Sequence, residues 1–228
     1  HAIGSSLRGN AAGSTGIAAV YSLFMTKPLT CGEGGIVIAR DKKLIESIKI
    51  IRNYGKDQNG RHVCKGFNYK LSEFDAAVAL WAIKNAGYII TERQRQAALY
   101  DELLSNLGGA SIFKIPKVSC SYYKYILILK DKINRDRLKR VLLNDYGIEV
   151  AGGVYDTLCH QEPYFQSVGS KVLNYKEIFP HSEEFSKRQV CLPLYLGLKK
   201  SGQKYVAESV FRALKKCGIP IKNQALLT

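Results

Sequence analysis

With 228 residues, 46% of them hydrophobic and 23% charged, the chain has an ordinary globular composition and enough length for one large domain or two modest ones. No apolar run approaches the ~18 residues of a membrane span, and His1 opens no basic-then-apolar leader, so nothing points to secretion. The balance of 34 basic against 19 acidic residues, a net +15, admits nucleic acid, anionic membrane surfaces and phosphorylated small molecules as partners.

The first predicted elements are short strands. "IAAVYSL" at 17–23 follows the glycine-rich "GNAAGSTG" and reads as a buried strand, and "IVIA" at 36–39 reads as a second. Between them, "FMTKPLTCGEGG" carries Lys27 to one edge of a sheet. A helix follows at about 42–53, with Leu44, Ile45, Ile48 and Ile51 at helical spacing. The polar loop "GKDQNGRHVCKG" leads to Ser72, the expected N-cap of a helix carrying Phe74, Ala77, Val78 and Trp81. A further helix at 91–107 is expected to close on a left-handed glycine in "LGG".

Beyond "LGG" the texture changes. "YYKYILILK" reads as a strand, "NRDRLKRVLLNDYG" as a helix capped by its asparagine, "IEVAGGVYD" as strand then turn, and "GQKYVAESVFRALKKCG" as a closing helix. Alternating strand and helix make the class α/β, with one domain expected at 1–107 and a smaller α/β domain at 108–228. The six cysteines stand singly with no C-x-x-C pair, so reduced thiols in a cytoplasmic protein are the plain reading, ahead of a zinc site or disulfide framework. The lysines are dispersed through "DKKL", "RDRLKR", "GLKKSGQK" and "ALKKCG" beside apolar helical positions, the pattern of a solvated face.

Lys27 has two readings. Beside apolar strands and in a glycine-bounded turn its amine is poorly solvated, which disfavours the charged form and suits condensation with a carbonyl cofactor. Alternatively its stem leans along the sheet and its head reaches water. Ser22, at the end of the preceding strand, places a hydroxyl where a phosphate could meet the same sheet edge.

The segment "GSTGIAAVYSLFMTKPLTCGEGGIVIA", followed by "RNYGKD" and "GFNYKLSEFDAAVAL", resembles the DegT/DnrJ/EryC1/StrS sugar aminotransferases, pyridoxal-phosphate enzymes of the aspartate-aminotransferase fold, fold type I. "GGVYDTLCHQEPYF" resembles their substrate loop and "VCLPLYLGL" their small-domain strand, so the likeness covers nearly the whole chain. It implies that Lys27 holds the cofactor covalently and carries protons. It further implies that Ser22 binds the cofactor phosphate, that Asn68 reaches the phosphate in the neighbouring subunit of a homodimer, and that His1 lies by the ring hydroxyl. His160 and Tyr155, in the loop, are implied on the substrate side.

The resemblance also marks departures. Ile17, Pro28 and Cys31 replace a common aspartate, asparagine and threonine; Lys70 replaces an arginine; and Tyr155, Asp156 and Glu162 replace histidine, tyrosine and glutamine. The last three bear on the choice of sugar. In the family an earlier segment supplies an aspartate for the pyridine nitrogen and an aromatic stacking residue, so the chain is expected to be the C-terminal part of a longer protein. Retention of Lys27 argues against the dehydratase branch, which has histidine there.

The implied function is transfer of an amino group, with glutamate the expected donor, to a keto sugar on a nucleotide diphosphate in polysaccharide or antibiotic-sugar biosynthesis. Alternatives are a catalytically incomplete relative, or a basic polyanion-binding protein. The latter lacks any zinc-finger, basic-zipper or RNA-recognition signature. No metal, specific nucleic acid or membrane partner is expected.

Overall fold

The computed structural model describes residues 1–150, 154, 157–169 and 179–219. The strands in chain order are β1 (Ser6–Leu7), β2 (Asn10–Ala11), β3 (Ala18–Ser22), β4 (Gly35–Ala39), β5 (Ala110–Ile112), β6 (Val118–Ser119), β7 (Tyr125–Leu129) and β8 (Gln189–Leu192). The helices are α1 (Lys42–Arg52), α2 (Glu73–Lys84), α3 (Ala86–Leu103), α4 (Arg135–Tyr146), α5 (Pro163–Gly169), α6 (Pro180–Arg188) and α7 (Lys200–Lys216). The chain divides into two compact units, His1–Gln94 with Pro116–Tyr123, and Arg95–Ile115 with the described residues from Lys124 onward.

In the first unit β3 and β4 form an antiparallel pair whose register sets Ala18 opposite Ala39 and Ser22 opposite Gly35, so the intervening loop leaves and returns at one end of the pair. A second small sheet has the order β2-β1-β6, all antiparallel. Asp41 caps α1 by accepting the Lys43 N–H, and Ser72 caps α2 by accepting that of Asp75, as expected for short polar side chains at helix starts. The core of this unit joins Leu23, Leu29 and Cys31 to Ala79 and Ala82 of α2 and Ile89 of α3.

The buried stripe of α2 is therefore small residues, and the expected one is displaced. Phe74, Ala77, Val78 and Trp81 are exposed, Phe74 to 87%. A helix apolar nearly all round has no single moment to fix its orientation, and close approach of the Lys27 loop selects its alanines. The expected burial of 17–23 holds at Leu23 but not along the strand: Ile17 and Val20 are 80% and 74% exposed, because among the described residues only β4 pairs with β3.

In the second unit β5, β7 and β8 form an antiparallel sheet with β7 in the middle. Tyr125, Leu127 and Leu129 point to one buried face with the period of two that a strand dictates. Leu138 and Leu142 of α4 and Val206, Val210 and Leu214 of α7 are also buried, and α4 packs against α7. Asn134 caps α4 through the Arg137 N–H, and Gly147 ends it at φ +64°, the left-handed conformation that suits glycine.

Three local expectations change. The second long helix runs Ala86–Leu103, earlier than 91–107, and neither Gly108 nor Gly109 has positive φ. Gly109 instead permits close packing, since a Cβ there would lie 3.1 Å from Ile133, Leu214 and Ile219. "YYKYILILK" becomes strand only at Tyr125, because Tyr122 takes φ +52° and turns the chain. Ile148 and Val150 are buried without forming a strand, and most of the expected turn after them lies outside the described residues.

Candidate functional site

The Lys27 turn is built by the backbone. Leu23 donates its N–H to Gly34 O at 2.8 Å and accepts that of Cys31 at 3.0 Å, which closes the loop's neck, and Lys27 N–H bonds Phe24 O at 2.9 Å. Thr30 adds a hydroxyl bond to Leu23 O at 3.1 Å and accepts the Gly32 N–H at 3.1 Å. Gly32 has φ +90°, where a side chain would be strained. Leu23, Leu29 and Cys31 anchor the turn in the core, which leaves the intervening Lys27 half-buried. Burial, with Asp75 and Glu33 nearby, pushes the Cys31 thiol up, away from the reactive thiolate.

At the tip, Lys27 Nζ lies 2.6 Å from His1 Nε2. The His1 ring stacks on Tyr123 with centroids 4.4 Å apart and planes within 6°. Lys27 Nζ also lies over the Tyr123 ring, 4.6 Å from its centroid, and the Tyr123 hydroxyl is 3.1 Å from Thr26 Oγ1. Tyr123 is held from behind by Arg93, whose guanidinium donates to Tyr122 O at 2.9 Å and Tyr123 O at 3.1 Å. Burial pulls that guanidinium below its ordinary value. The sequence reading brought Lys27 and His1 to attention but missed Tyr123 and Arg93. The one available signal was that apolar alternation starts at Tyr125, leaving Tyr122 and Tyr123 outside the strand.

Ser22 ends β3 with its side chain exposed, and its Oγ accepts the Phe24 N–H at 3.2 Å. Its own proton remains available to an anionic oxygen. Asn68 lies on a segment tied to the end of α1: Phe67 N–H bonds Ile51 O at 2.8 Å and Tyr69 N–H bonds Arg52 O at 2.9 Å. These bonds satisfy carbonyls that a helix C-terminus leaves open, and they present Asn68 exposed. The loop before it depends on Gly66, where a Cβ would fall 1.8 Å from Gly55 N. Beside Asn68, a cavity of about 750 Å³ is lined by Arg52, Tyr69, Lys70 and Ser72 among others.

In the second unit, His160 sits in a short 3-10 turn (Cys159–Gln161) with its Nε2 2.7 Å from Glu183 Oε1. Gln161 donates to both oxygens of Glu183 at 2.9 Å, and the His160 ring stacks on Phe179 at 5.1 Å. These bonds, that from His160 foremost, hold the Glu183 carboxyl below the usual carboxylate range. Tyr155 lies outside the described residues.

The DegT/DnrJ/EryC1/StrS aminotransferase family model matches residues 1–211. The chain belongs to this family. A pleiotropic regulatory protein of Geobacillus stearothermophilus is 32% identical, covering 92% of this chain and 55% of that protein. A UDP-4-amino-4,6-dideoxy-N-acetyl-beta-L-altrosamine transaminase of Helicobacter pylori is 27% identical, over 94% and 57%. The solved structure of Helicobacter pylori PseC, an aminotransferase of pseudoaminic acid biosynthesis, superposes with a TM-score of 0.84 at 25% identity, over 95% of this chain and 58% of that one. The chain thus spans about half the length of the curated relatives it matches. Its fold is α/β, that of the fold type I transferases.

Membership in this family raises pyridoxal phosphate as the group to test against the residues. An amine, a strand-end hydroxyl with a proton to give, and an imidazole beside the amine are a donor set that fits a phosphorylated aldehyde. Among the described residues no helix is long and apolar enough to cross a membrane, and no cluster of histidine, cysteine and carboxylate side chains could hold a metal.

Proposed function

We propose that the chain is the C-terminal part of a cytoplasmic, homodimeric, pyridoxal-phosphate-dependent aminotransferase. It passes an amino group from glutamate to a keto sugar carried on a nucleotide diphosphate, with residues 1–107 in the large domain and 108–228 in the small one. The observation that carries the reading is the Lys27 amine 2.6 Å from the His1 imidazole, in the loop that follows a strand finishing in Ser22.

When bound, pyridoxal phosphate supplies a conjugated ring that holds the electron pair left by a broken C–H bond. The chain's own residues do the rest. Lys27 is the amine that would engage the cofactor, and its Nζ would take up and return the proton of the broken C–H bond. His1 Nε2 exchanges a proton with that amine at hydrogen-bond distance. Ser22 donates to the phosphate, and Asn68 reaches the phosphate of the neighbouring subunit. His160 and Tyr155 contact the sugar nucleotide, whose charge suits a chain of net +15.

The regulatory name of the 32% identical relative favours one second reading, a family member without catalysis. Incubating the full-length protein with pyridoxal phosphate, reducing with borohydride and mapping the adduct by mass spectrometry decides between the two. A phosphopyridoxyl group on Lys27 supports the enzyme, and a folded dimer with no adduct supports the second reading.

A further inference from the structure

We propose that Tyr123 is a positioning residue for the Lys27 amine, set in place by the buried side chain of Arg93. The inference rests on the reading of Lys27 as the reactive amine and goes beyond it, since neither the family likeness nor the sequence reading gives Tyr123 or Arg93 a role.

Three contacts converge on one ring. Its face lies under Lys27 Nζ at 4.6 Å, His1 stacks on it at 4.4 Å, and its hydroxyl meets Thr26, the residue before the lysine, at 3.1 Å. The ring thus touches both members of the 2.6 Å nitrogen pair, and its hydroxyl reaches the side chain of the residue before one of them. An aromatic face attracts an ammonium through its quadrupole, so the ring limits where Nζ can go. Fixing a long lysine side chain costs rotamer freedom, and the ring opposes that freedom while leaving a hydrogen-bonding partner in reach.

The ring itself would be poorly determined by its own segment. Tyr122 sits at φ +52°, an uncommon conformation for a bulky residue. What holds it is Arg93, only 6% exposed, which spends two guanidinium bonds on the Tyr122 and Tyr123 carbonyls. A second tie lies just upstream, where Ser121 is fully buried and its N–H and hydroxyl both meet Ser5 Oγ at 2.9 Å. The strained turn, held by a buried cation, places a half-buried tyrosine under the lysine.

The test reads the lysine directly. In the cofactor-free full-length protein, the rate at which acetic anhydride labels Lys27 at pH 8 is measured by mass spectrometry against surface lysines. A cation–π contact at a partly exposed site corresponds to a factor of roughly two to five, so Tyr123→Leu is expected to raise the labelling rate by about that factor while Tyr123→Phe, which keeps the face, leaves it unchanged. Tyr123→Met fills similar space without a π face and is expected to behave as leucine. A methionine variant that labels like the wild type overturns the proposal, because shape alone would then suffice. Loss of fold in both the leucine and methionine variants also overturns it, by making the ring a core element. Borohydride trapping on the wild type runs in parallel: absence of an adduct there fails the reading of Lys27, whereas an adduct with no effect of Tyr123 fails only this inference.

Discussion

His160 Nε2 and Glu183 Oε1 lie 2.7 Å apart, and both side chains are largely shielded, at 11% and 13% exposure. With Gln161 bonded to both carboxylate oxygens, the pair pins the 3-10 turn to the first turn of α6. A histidine so held has its Nε2 engaged and its ring fixed, which suits a contact whose orientation matters.

The sign of the pH effect follows from Glu183. Its carboxyl is held below its ordinary value of 4.5 by the bond from His160 and then by Gln161. A depressed carboxyl contributes stability that is fully present above the ordinary value and is lost as pH falls through the folded one. Glu183→Gln is therefore expected to lower the melting temperature at pH 7, with the difference from wild type shrinking below the ordinary carboxylate range. Melts at pH 7, 5 and 3.5 check this, and a gap that stays constant across all three would remove the pair from the account.

Lys27→Ala is expected to cut turnover by at least the ~10²–10⁴-fold that a positioned proton-transfer group contributes, with the melting temperature of the cofactor-free protein little changed. Lys27 is half-buried at a tip whose anchors are its neighbours Leu23, Leu29 and Cys31, so its removal leaves the core intact. Amino transfer followed with glutamate and a nucleotide-linked keto sugar is the assay, and appreciable residual turnover would refute the assigned role.

Local rules made much of this legible. Ser72 and Asn134 cap the helices that their positions announced, and the apolar alternation of Tyr125–Leu129 gives the central strand. Lys27 stood out because two glycine-flanked strands surround it. Tyr123 did not, because its role depends on a long-range return: Val118–Ser119 pairs with Ser6–Leu7 and carries the tyrosine back to the first unit. No local pattern encodes such a pairing. The α2 helix failed for a different reason: with apolar residues on every side, only tertiary contact with Leu23 and Leu29 decides that Ala79 and Ala82 face inward.

Asn68 gives a test of the shared site. Its backbone neighbours are fixed to the end of α1, so Asn68→Ala removes the exposed amide while leaving the segment in place. A hydrogen bond to a charged group is worth about 1.5–3 kcal/mol, and the cofactor is expected to bind at least about tenfold more weakly to the variant dimer. Equilibrium dialysis against pyridoxal phosphate measures it, and unchanged affinity would leave Asn68 as a turn former only.

The ends of α4 offer a prediction about the second unit alone. Asn134→Ala removes the side chain that accepts the Arg137 N–H at 2.8 Å, at a cost of about 1 kcal/mol for a lost N-cap. Gly147→Ala forces a Cβ into φ +64°, at roughly 1–2 kcal/mol. The two sites are at opposite ends of α4 and share no partner, so the double variant is expected to lose the sum of the single losses. Urea denaturation followed by far-UV circular dichroism checks both values. Because Leu138 and Leu142 of the same helix are buried, a loss well below the sum would mean that α4 is held by its packed face and that its caps are redundant.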